Sequence, residues 1–372
     1  MVEGALLVLQ WLLMSWLFSL VAVGVIAKTL PDIEPGEWYA VPHSQLVNVP
    51  KKTKAPGSWT GFSAITGAWS GGAFDTKQQQ LIIWGGGHRD YSGNELYSFS
   101  LRTLSWQQLT IAANNVDEKG KLSITGYYPN GSPRARHTYN TLQYLVEQNL
   151  FCAFGAAAMF PLSQHMLPNT DCYDLTDGRW LRLPPVISGG YGISSTTAYD
   201  PVTGDIYSLG SGGGSALVKY DPGARKWTEV TAELPGWVSY DYTAVISLNP
   251  HWYVLVGNKE TRFIDLQNPD KGLQHLTTQG DTEIEQFANV GFAAHQPSGL
   301  LVAWHSGAVV YTLNLKTMSW KKRLSKMSGK KKLAPKALQN GTFGRFRYSE
   351  KYNIFIVVNS VKDPVFLYRL AQ

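Results

Sequence analysis

The feature that most constrains the fold is a repeat closed by tryptophan. Ser105-Trp106-Gln107-Gln108-Leu109, Arg179-Trp180-Leu181-Arg182-Leu183, Lys226-Trp227-Thr228-Glu229-Val230 and Ser319-Trp320-Lys321-Lys322-Arg323 share one pattern, and Glu37-Trp38-Tyr39-Ala40-Val41 matches it near the N-terminus. Trp180 and Trp227 are 47 residues apart, and Trp227 and Trp320 are 93 apart, close to two such steps. A period of this size marks a chain of repeated supersecondary units, each able to bury its apolar surface only against its neighbours. The clearest unit runs from Leu81 to Trp106. It begins with an apolar run, Leu81 to Trp84, short enough for a buried strand. The glycines Gly85 to Gly87 follow, then a polar loop from His88 to Asn94, a strand carrying Leu96, Tyr97, Phe99 and Leu101, a turn, and Trp106.

Five further units align with this one, beginning at His137, Ser195, Tyr242, Val290 and Arg345; the first itself begins at Ser70. The unit from Tyr242 has a degenerate end at Leu273 to Leu276 in place of its Trp. The unit from Arg345 has only three strands, whereas Glu37 to Val41 is a strand without a unit. A ring in which the second completes the first leaves no free sheet edge. The expected fold is therefore all-β: a six-bladed β-propeller of four-stranded antiparallel blades, with the N-terminal strand closing the last blade. Composition agrees. With 36 Gly, 13 Trp, 44% hydrophobic and 16% charged residues and no long helical period, the chain suits many short strands and tight turns.

The glycine run after the second strand, the aromatic of the third strand (Tyr97, Tyr173, Tyr311) and the Trp of the fourth resemble kelch-type propeller repeats. Pro133-Arg134-Ala135-Arg136-His137, ahead of the second unit, is similar to the segment that leads into a kelch repeat. The resemblance covers about residues 37–370. It implies the propeller and no single activity, since kelch-type propellers include protein-binding scaffolds, sialic-acid-related enzymes and the copper enzyme galactose oxidase.

The first residues differ from the rest. Ala5 to Ala27 is an uncharged run of 23 residues, long enough for a bilayer crossing of ~20. Residues 1–27 are read as a signal peptide or an N-terminal membrane anchor. Residues 28–60 form a proline-containing arm that includes the ring-closing strand, and 61–372 form the propeller. Glu3 stands where a positive n-region is usual, and Lys28 directly after the run would favour an outward N-terminus. Export to the periplasm or the cell exterior is nevertheless the expected fate, with or without a membrane tether. Cys152 and Cys172 fall on neighbouring strands of one blade, as a disulfide in an oxidising compartment or as two buried thiols. No CxxC or Cys/His spacing suggests a zinc site, no residue is assigned as a metal ligand, and the sequence assigns no cofactor either way.

Strand order sorts the polar residues. In a propeller blade the chain runs from the innermost strand, a, through b and c to the outermost, d, reversing at each turn. The b–c loops and d–a connections therefore share one face. On it fall His88, Arg89, Asp90, Tyr91 and Asn94 from the first b–c loop, and His165 and His305 from those of blades two and five. Arg134, Arg136 and His137 lead into blade two, Tyr191 into blade three, Tyr240, Asp241 and Tyr242 into blade four, and Arg345 into blade six. His295 aligns with Asp75 and Asp200 on the other face and is read as structural. The net charge of +6 is concentrated between Lys321 and Lys336, eight basic residues without an acid. That d–a connection is either a solvated loop or an attractor for an anionic polymer.

The residue types on this face narrow the chemistry. The cysteines lie within strands, away from any Tyr–His set, which argues against a copper–radical site. No close pair of acids suits a standard glycosidase. Proton abstraction beside a carboxylate fits better. Arg136 or Asn94 would neutralise the carboxylate, His88 or His137 would be the base, and Tyr91 or Tyr240 the acid. These types resemble those of uronate-polysaccharide lyases built on β-propellers. The candidate catalytic residues are thus His88, Tyr91, Arg136, His137 and Tyr240, with Arg89, Asp90, Asn94, Tyr191, Asp241, His305 and Arg345 as substrate-binding residues. The expected partner is an acidic polysaccharide or another anionic ligand, not nucleic acid, and the chain is expected to be a monomer. The alternative is a propeller that only binds a glycan or a protein; a sialidase-like hydrolase would need three clearly placed arginines. Several of these residues also have purely structural readings. Asp90 and Asn94 can hold a loop by bonding backbone amides, and Arg136 and His137 can satisfy the preceding blade.

Overall fold

A computed structural model of the chain describes residues 30–51, 60–114, 126–159, 166–212, 214–234, 241–328 and 333–371. The expected signal peptide or anchor at 1–27, Tyr240 and His165 lie outside the described residues. Among the described residues no helix is long and apolar enough to cross a membrane.

Six sheets form the blades of a propeller. Blade one consists of Gly71–Asp75, Gln80–Trp84, Tyr97–Ser100 and Ser105–Gln108 as strands a to d. Blade two consists of Leu142–Leu145, Leu150–Met159, Leu167–Asp174 and Arg179–Leu183, with the two-residue strand Arg136–His137 added against the far end of its strand b. Blades three and four are Thr196–Tyr199, Ile206–Leu209, Leu217–Asp221, Lys226–Glu229 and Thr243–Leu248, His251–Gly257, Glu260–Asp265, Gln274–Leu276. Gln274–Leu276 is the degenerate fourth strand; by register Leu273, just before it, stands where the other blades place their Trp and is partly buried, while Leu276 is buried three residues on. Blade five is Gly291–His295, Leu300–Trp304, Val309–Asn314 and Ser319–Leu324, edged by Gln279–Gly280 in parallel.

Blade six draws on both ends of the chain. Phe346–Ser349, Ile354–Val357 and Phe366–Arg369 are its strands a to c, and Glu37–Ala40 pairs antiparallel with the last of them, setting Trp38 opposite Tyr368. Lys326–Ser328 then adds a fifth strand, parallel to Glu37–Ala40. The basic run is therefore not one loop: Lys321 to Arg323 lie in a blade strand and Lys326 in this edge strand, while 329–332 lie outside the described residues.

Each blade packs face to face on its neighbours, so the b strands are covered on both sides and read as unbroken apolar runs. Leu81–Trp84, Tyr253–Val256, Leu301–Trp304 and Ile354–Val357 are all buried. The recurrent Trp bridges blades. Trp180 of blade two packs on Trp84 of blade one with ring centroids 5.2 Å apart, and Trp227 of blade three packs on Phe154 of blade two at 5.8 Å. Cys152 and Cys172 stand directly opposite each other on strands b and c of blade two and form a disulfide, with S–S 2.06 Å.

The segments leading into the a strands are hydrogen-bonded from blade to blade around the axis. Tyr139 N donates to Trp69 O, Thr197 N to Asn140 O, Asn289 N to Asp241 O and Thr342 N to Asn289 O. Tyr253 Oη donates to Thr196 O across blades four and three, and Arg345 Nη1 donates to Ser70 O, joining blade six to blade one. This belt is the rigid frame on which the loops of that face stand.

Candidate active site at the axial mouth

His88, Asp90 and His137 meet on the face of the b–c loops and d–a connections. Each offers one ligand atom, and these atoms lie within 4.8 Å of one another. His88 and Asp90 belong to the polar loop of blade one, whose tight start depends on Gly87 (φ +72°). A Cβ at that position would fall 2.3 Å from His137 Nε2 and 2.8 Å from Asp90 Oδ2, so only glycine leaves room for the three to converge. Thr60 N and Gly61 N both donate to Asp90 O, and Thr60 Oγ1 donates to Asp90 Oδ1 at 3.0 Å. Asp90 Oδ2 faces His137 Nε2 at 3.4 Å.

His137 owes its place to strand alternation. Successive side chains of an extended segment point to opposite sides. Along 134–137, Arg134 and Arg136 go into the blade and His137 comes out at the mouth. There its ring is enclosed by Trp69, His88 and Tyr139, with centroids 4.8, 5.0 and 5.8 Å away, and Tyr139 Oη lies 3.4 Å from His137 Nδ1. Phe343 packs edge-on against Tyr139 at 5.8 Å. Trp69, Tyr139 and Phe343 each occupy the left-handed region, at φ 47°, 43° and 50°. Bulky side chains adopt it only where the surroundings impose it, and such residues cluster at functional sites.

Electrostatics follow from this packing. Burial lowers the pKa of His88, and the neighbouring His137 lowers it further, against the opposing effect of Asp90. Asp90 is held below the usual carboxylate range chiefly by its hydrogen bond with His137. His88 Nδ1 is buried without a hydrogen-bond partner.

The other residues expected at this face are placed differently. Arg136 is buried in an ion pair with Asp171 at 2.7 Å, over the face of Trp84. Asn94 is a latch: its Nδ2 donates to Ser132 Oγ and Pro133 O, and its Oδ1 accepts from Ala113 N. Tyr91 is buried and donates to Glu95 Oε1 at 2.7 Å; burial and the nearby carboxyl push its pKa up. Arg345 is fully buried in the belt. Tyr191 packs against the apolar cluster between blades two and three, and His305 stacks face to face on Phe287 at 3.9 Å, where burial lowers its pKa. Asp241 lends its carbonyl to the belt, and Arg89 is exposed in the loop between His88 and Asp90. Trp69, Tyr139, Phe343 and Thr60 were not singled out from the sequence. All four precede the strand or loop they serve, and nothing in residue type announces a left-handed aromatic.

Glu95 gives the loop beneath the mouth a measurable pH dependence. It is buried, and burial raises its pKa despite the hydrogen bond from Tyr91; Tyr97 and Lys51 also act on it, and Tyr128 lies close to the pair. The folded state thus holds the Glu95 proton more tightly than the unfolded chain does. The resulting stabilisation is present below the ordinary carboxyl pKa and is lost as pH rises through the folded-state value. Glu95→Gln should therefore raise Tm at about pH 8 and change it little at about pH 4. An equal effect at both pH values would contradict the burial argument.

The axis also holds a cavity of about 220 Å³ at its other end, lined by a-strand and a–b-turn residues such as Thr76, Tyr144, Tyr199, Gln296 and Tyr348. It contains none of the residues of the mouth. Tyr144 donates to Asn149, and Arg347 donates to the carbonyls of Gly72, Gly344 and Leu142, so much of its polar lining serves the frame.

No family model matches the sequence, and no curated protein matches it. Among solved structures, the chain is similar to a structural-genomics protein of unknown function from Bacteroides thetaiotaomicron, with TM-score 0.50 and 10% identity over 89% of this chain and 75% of that one. It is also similar to TolB from Acinetobacter baumannii, with TM-score 0.43 and 12% identity over 71% of this chain; it spans 55% of that protein's length. At such identities the likeness is one of fold.

Proposed function

We propose that the protein is an exported, kelch-like propeller that takes up an acidic polysaccharide at the mouth around His88 and His137 and cleaves it by β-elimination at a uronate. The observation that carries this reading is the convergence of two imidazoles and a carboxylate beside aromatic rings, from loops 47 residues apart in sequence (Asp90 to His137). Aromatic walls with a few convergent polar groups are the usual make-up of a small-ligand site. In the elimination, the proton beside the carboxylate passes to a base. The C–O bond to the next sugar breaks with its electron pair going to the departing oxygen, which takes up a proton, and a C=C bond forms. The His88–Asp90–His137 cluster supplies the proton acceptor. Tyr139, beside His137 Nδ1, takes the donor role assigned from sequence to Tyr91 and Tyr240. Lys321 to Lys336 add the positive charge that draws in the polymer.

A panel of acidic polysaccharides incubated with the protein should yield the absorbance of an unsaturated uronate. His88→Ala should lower the rate by roughly 100-fold or more with little change in Tm, because His88 lies in a loop and is partly exposed. The second reading, binding without cleavage, is favoured by the commitment of Arg136, Asn94 and Tyr91 to the scaffold. On that reading no polysaccharide gives the absorbance, and His88→Ala only weakens a salt-sensitive association.

A further inference from the structure

We propose that His88, Asp90 and His137 bind one divalent transition-metal ion at the mouth. Two imidazoles and one carboxylate form a donor set suited to zinc, iron, manganese or cobalt, whereas an all-oxygen set would suit calcium or magnesium. Three protein ligands leave further coordination positions open, and the Asp90 side chain is 26% exposed on that side.

The hydrogen bond between His137 and Asp90 is long, and its length also suits two ligands of one ion. His137 Nε2 and Asp90 Oδ2 stand 3.4 Å apart, longer than the ~2.7–3.2 Å of an N–H···O bond. Two ligands each ~2.0–2.2 Å from one tetrahedral ion stand roughly 3.3–3.6 Å apart, which matches. The full set spans up to 4.8 Å, so one ligand must close in by about 1 Å, within reach of a rotation of the His88 ring on its loop.

The outer contacts are those of a metal site. Metal-binding groups are usually oriented through their second polar atom. Asp90 Oδ1 is held by Thr60 and His137 Nδ1 faces Tyr139 Oη, so the two remaining atoms, Oδ2 and Nε2, point at the common space. His88 Nδ1 is a buried nitrogen with no partner, which an ion would satisfy. Gly87 keeps that space free, since any Cβ there would occupy it. Should the glycan reading hold, on which this role alone depends, the ion would supply the charge that Arg136 and Arg345, locked in the scaffold, do not offer to a uronate, and with both imidazoles held as ligands the proton would be taken and returned by Tyr139 in their place.

The test uses the full chain, freed of metal by a chelator and titrated calorimetrically with Zn(II). One ion should bind per chain, and Co(II) should give the visible absorption of a nitrogen-ligated site. Asp90→Asn and His88→Gln, at partly exposed positions, should each weaken Zn(II) binding by roughly 100-fold, and Thr60→Ala and Tyr139→Phe by about 10-fold. His275→Ala, on an exposed blade-four histidine, should leave binding unchanged. Zn(II) uptake that is the same in Asp90→Asn and His88→Gln as in the wild type overturns the proposal. So does the absence of any uptake tighter than ~100 µM. Neither arm uses a glycan: an ion that binds as described, with no polysaccharide bound or cleaved, supports the metal site and sinks the glycan reading alone.

Discussion

Arg345→Ala should destabilise the fold by about 3–5 kcal/mol, a large share of a domain's usual ~5–15 kcal/mol. The guanidinium is fully buried, and burial pushes its pKa down to about 9, which still leaves it charged at neutral pH. It donates to Val358 O at 2.9 Å, to Gly341 O and Asn359 Oδ1 at 2.7 and 3.1 Å, and to Ser70 O. The last of these crosses from blade six to blade one, where the two ends of the ring meet. Truncation leaves several buried acceptors unpaired at once, each at a cost of ~1–3 kcal/mol before relaxation. Arg345→Lys should recover little, because an ammonium cannot reproduce the planar fork that reaches both sides. The measurement is the denaturant midpoint at constant m. A loss below ~1 kcal/mol would mean that the belt does not depend on this residue.

Arg345 also shows where sequence reading stops. Its position before strand a, on the face of the b–c loops, is legible from the repeat, and from that alone it resembles a ligand-binding arginine. The structure instead turns it inward. The same holds for Arg136 and Asn94: sorting by loop assigns a face, but not the direction of a side chain within it. For 134–137 a further rule was available in the sequence. In an extended segment alternate residues point apart, so Arg136 and His137 cannot both face the mouth, and a buried Arg136 leaves His137 on the mouth side.

The fold was far more legible than the site because burial between blades imposes a pattern on every repeat. Trp106, Trp180, Trp227 and Trp320 recur because each outer strand carries one large ring into the blade packing. The missing Trp of blade four costs the pattern one match; Leu273 stands in its place, partly buried against the cluster between blades three and four. The edge strands Gln279–Gly280 and Lys326–Ser328 escaped notice because two or three residues bonded along a blade's rim need no apolar pattern. The mouth was half legible. His88 and Asp90 lie two apart in one loop, but His137 joins them only through the juxtaposition of blades one and two. The aromatics that enclose it sit where left-handed backbone, invisible in residue type, turns them inward.

Trp38→Ala should cost about 3–5 kcal/mol, the usual range for emptying a large aromatic site in a core. Trp38 is fully buried, with Trp304 at 6.0 Å and Tyr368 at 4.8 Å between ring centroids, inside the cluster that joins blades five and six. Its strand also lies between Phe366–Arg369 and Lys326–Ser328 and pairs with both. Removing the chain through residue 45 should therefore do more than empty a cavity. It unpairs both neighbours, leaves the backbone of Phe366–Arg369 as an open edge and uncovers Tyr368, now fully buried. An exposed apolar edge of this kind pairs with other chains, so the truncated protein should aggregate and lose its cooperative melt, whereas Trp38→Ala should remain soluble and melt earlier. The two variants separate packing from closure. A truncation as soluble and cooperative as Trp38→Ala would show that the ring is held by the inner belt around Arg345 alone, and that the N-terminal strand is a covering rather than a clasp.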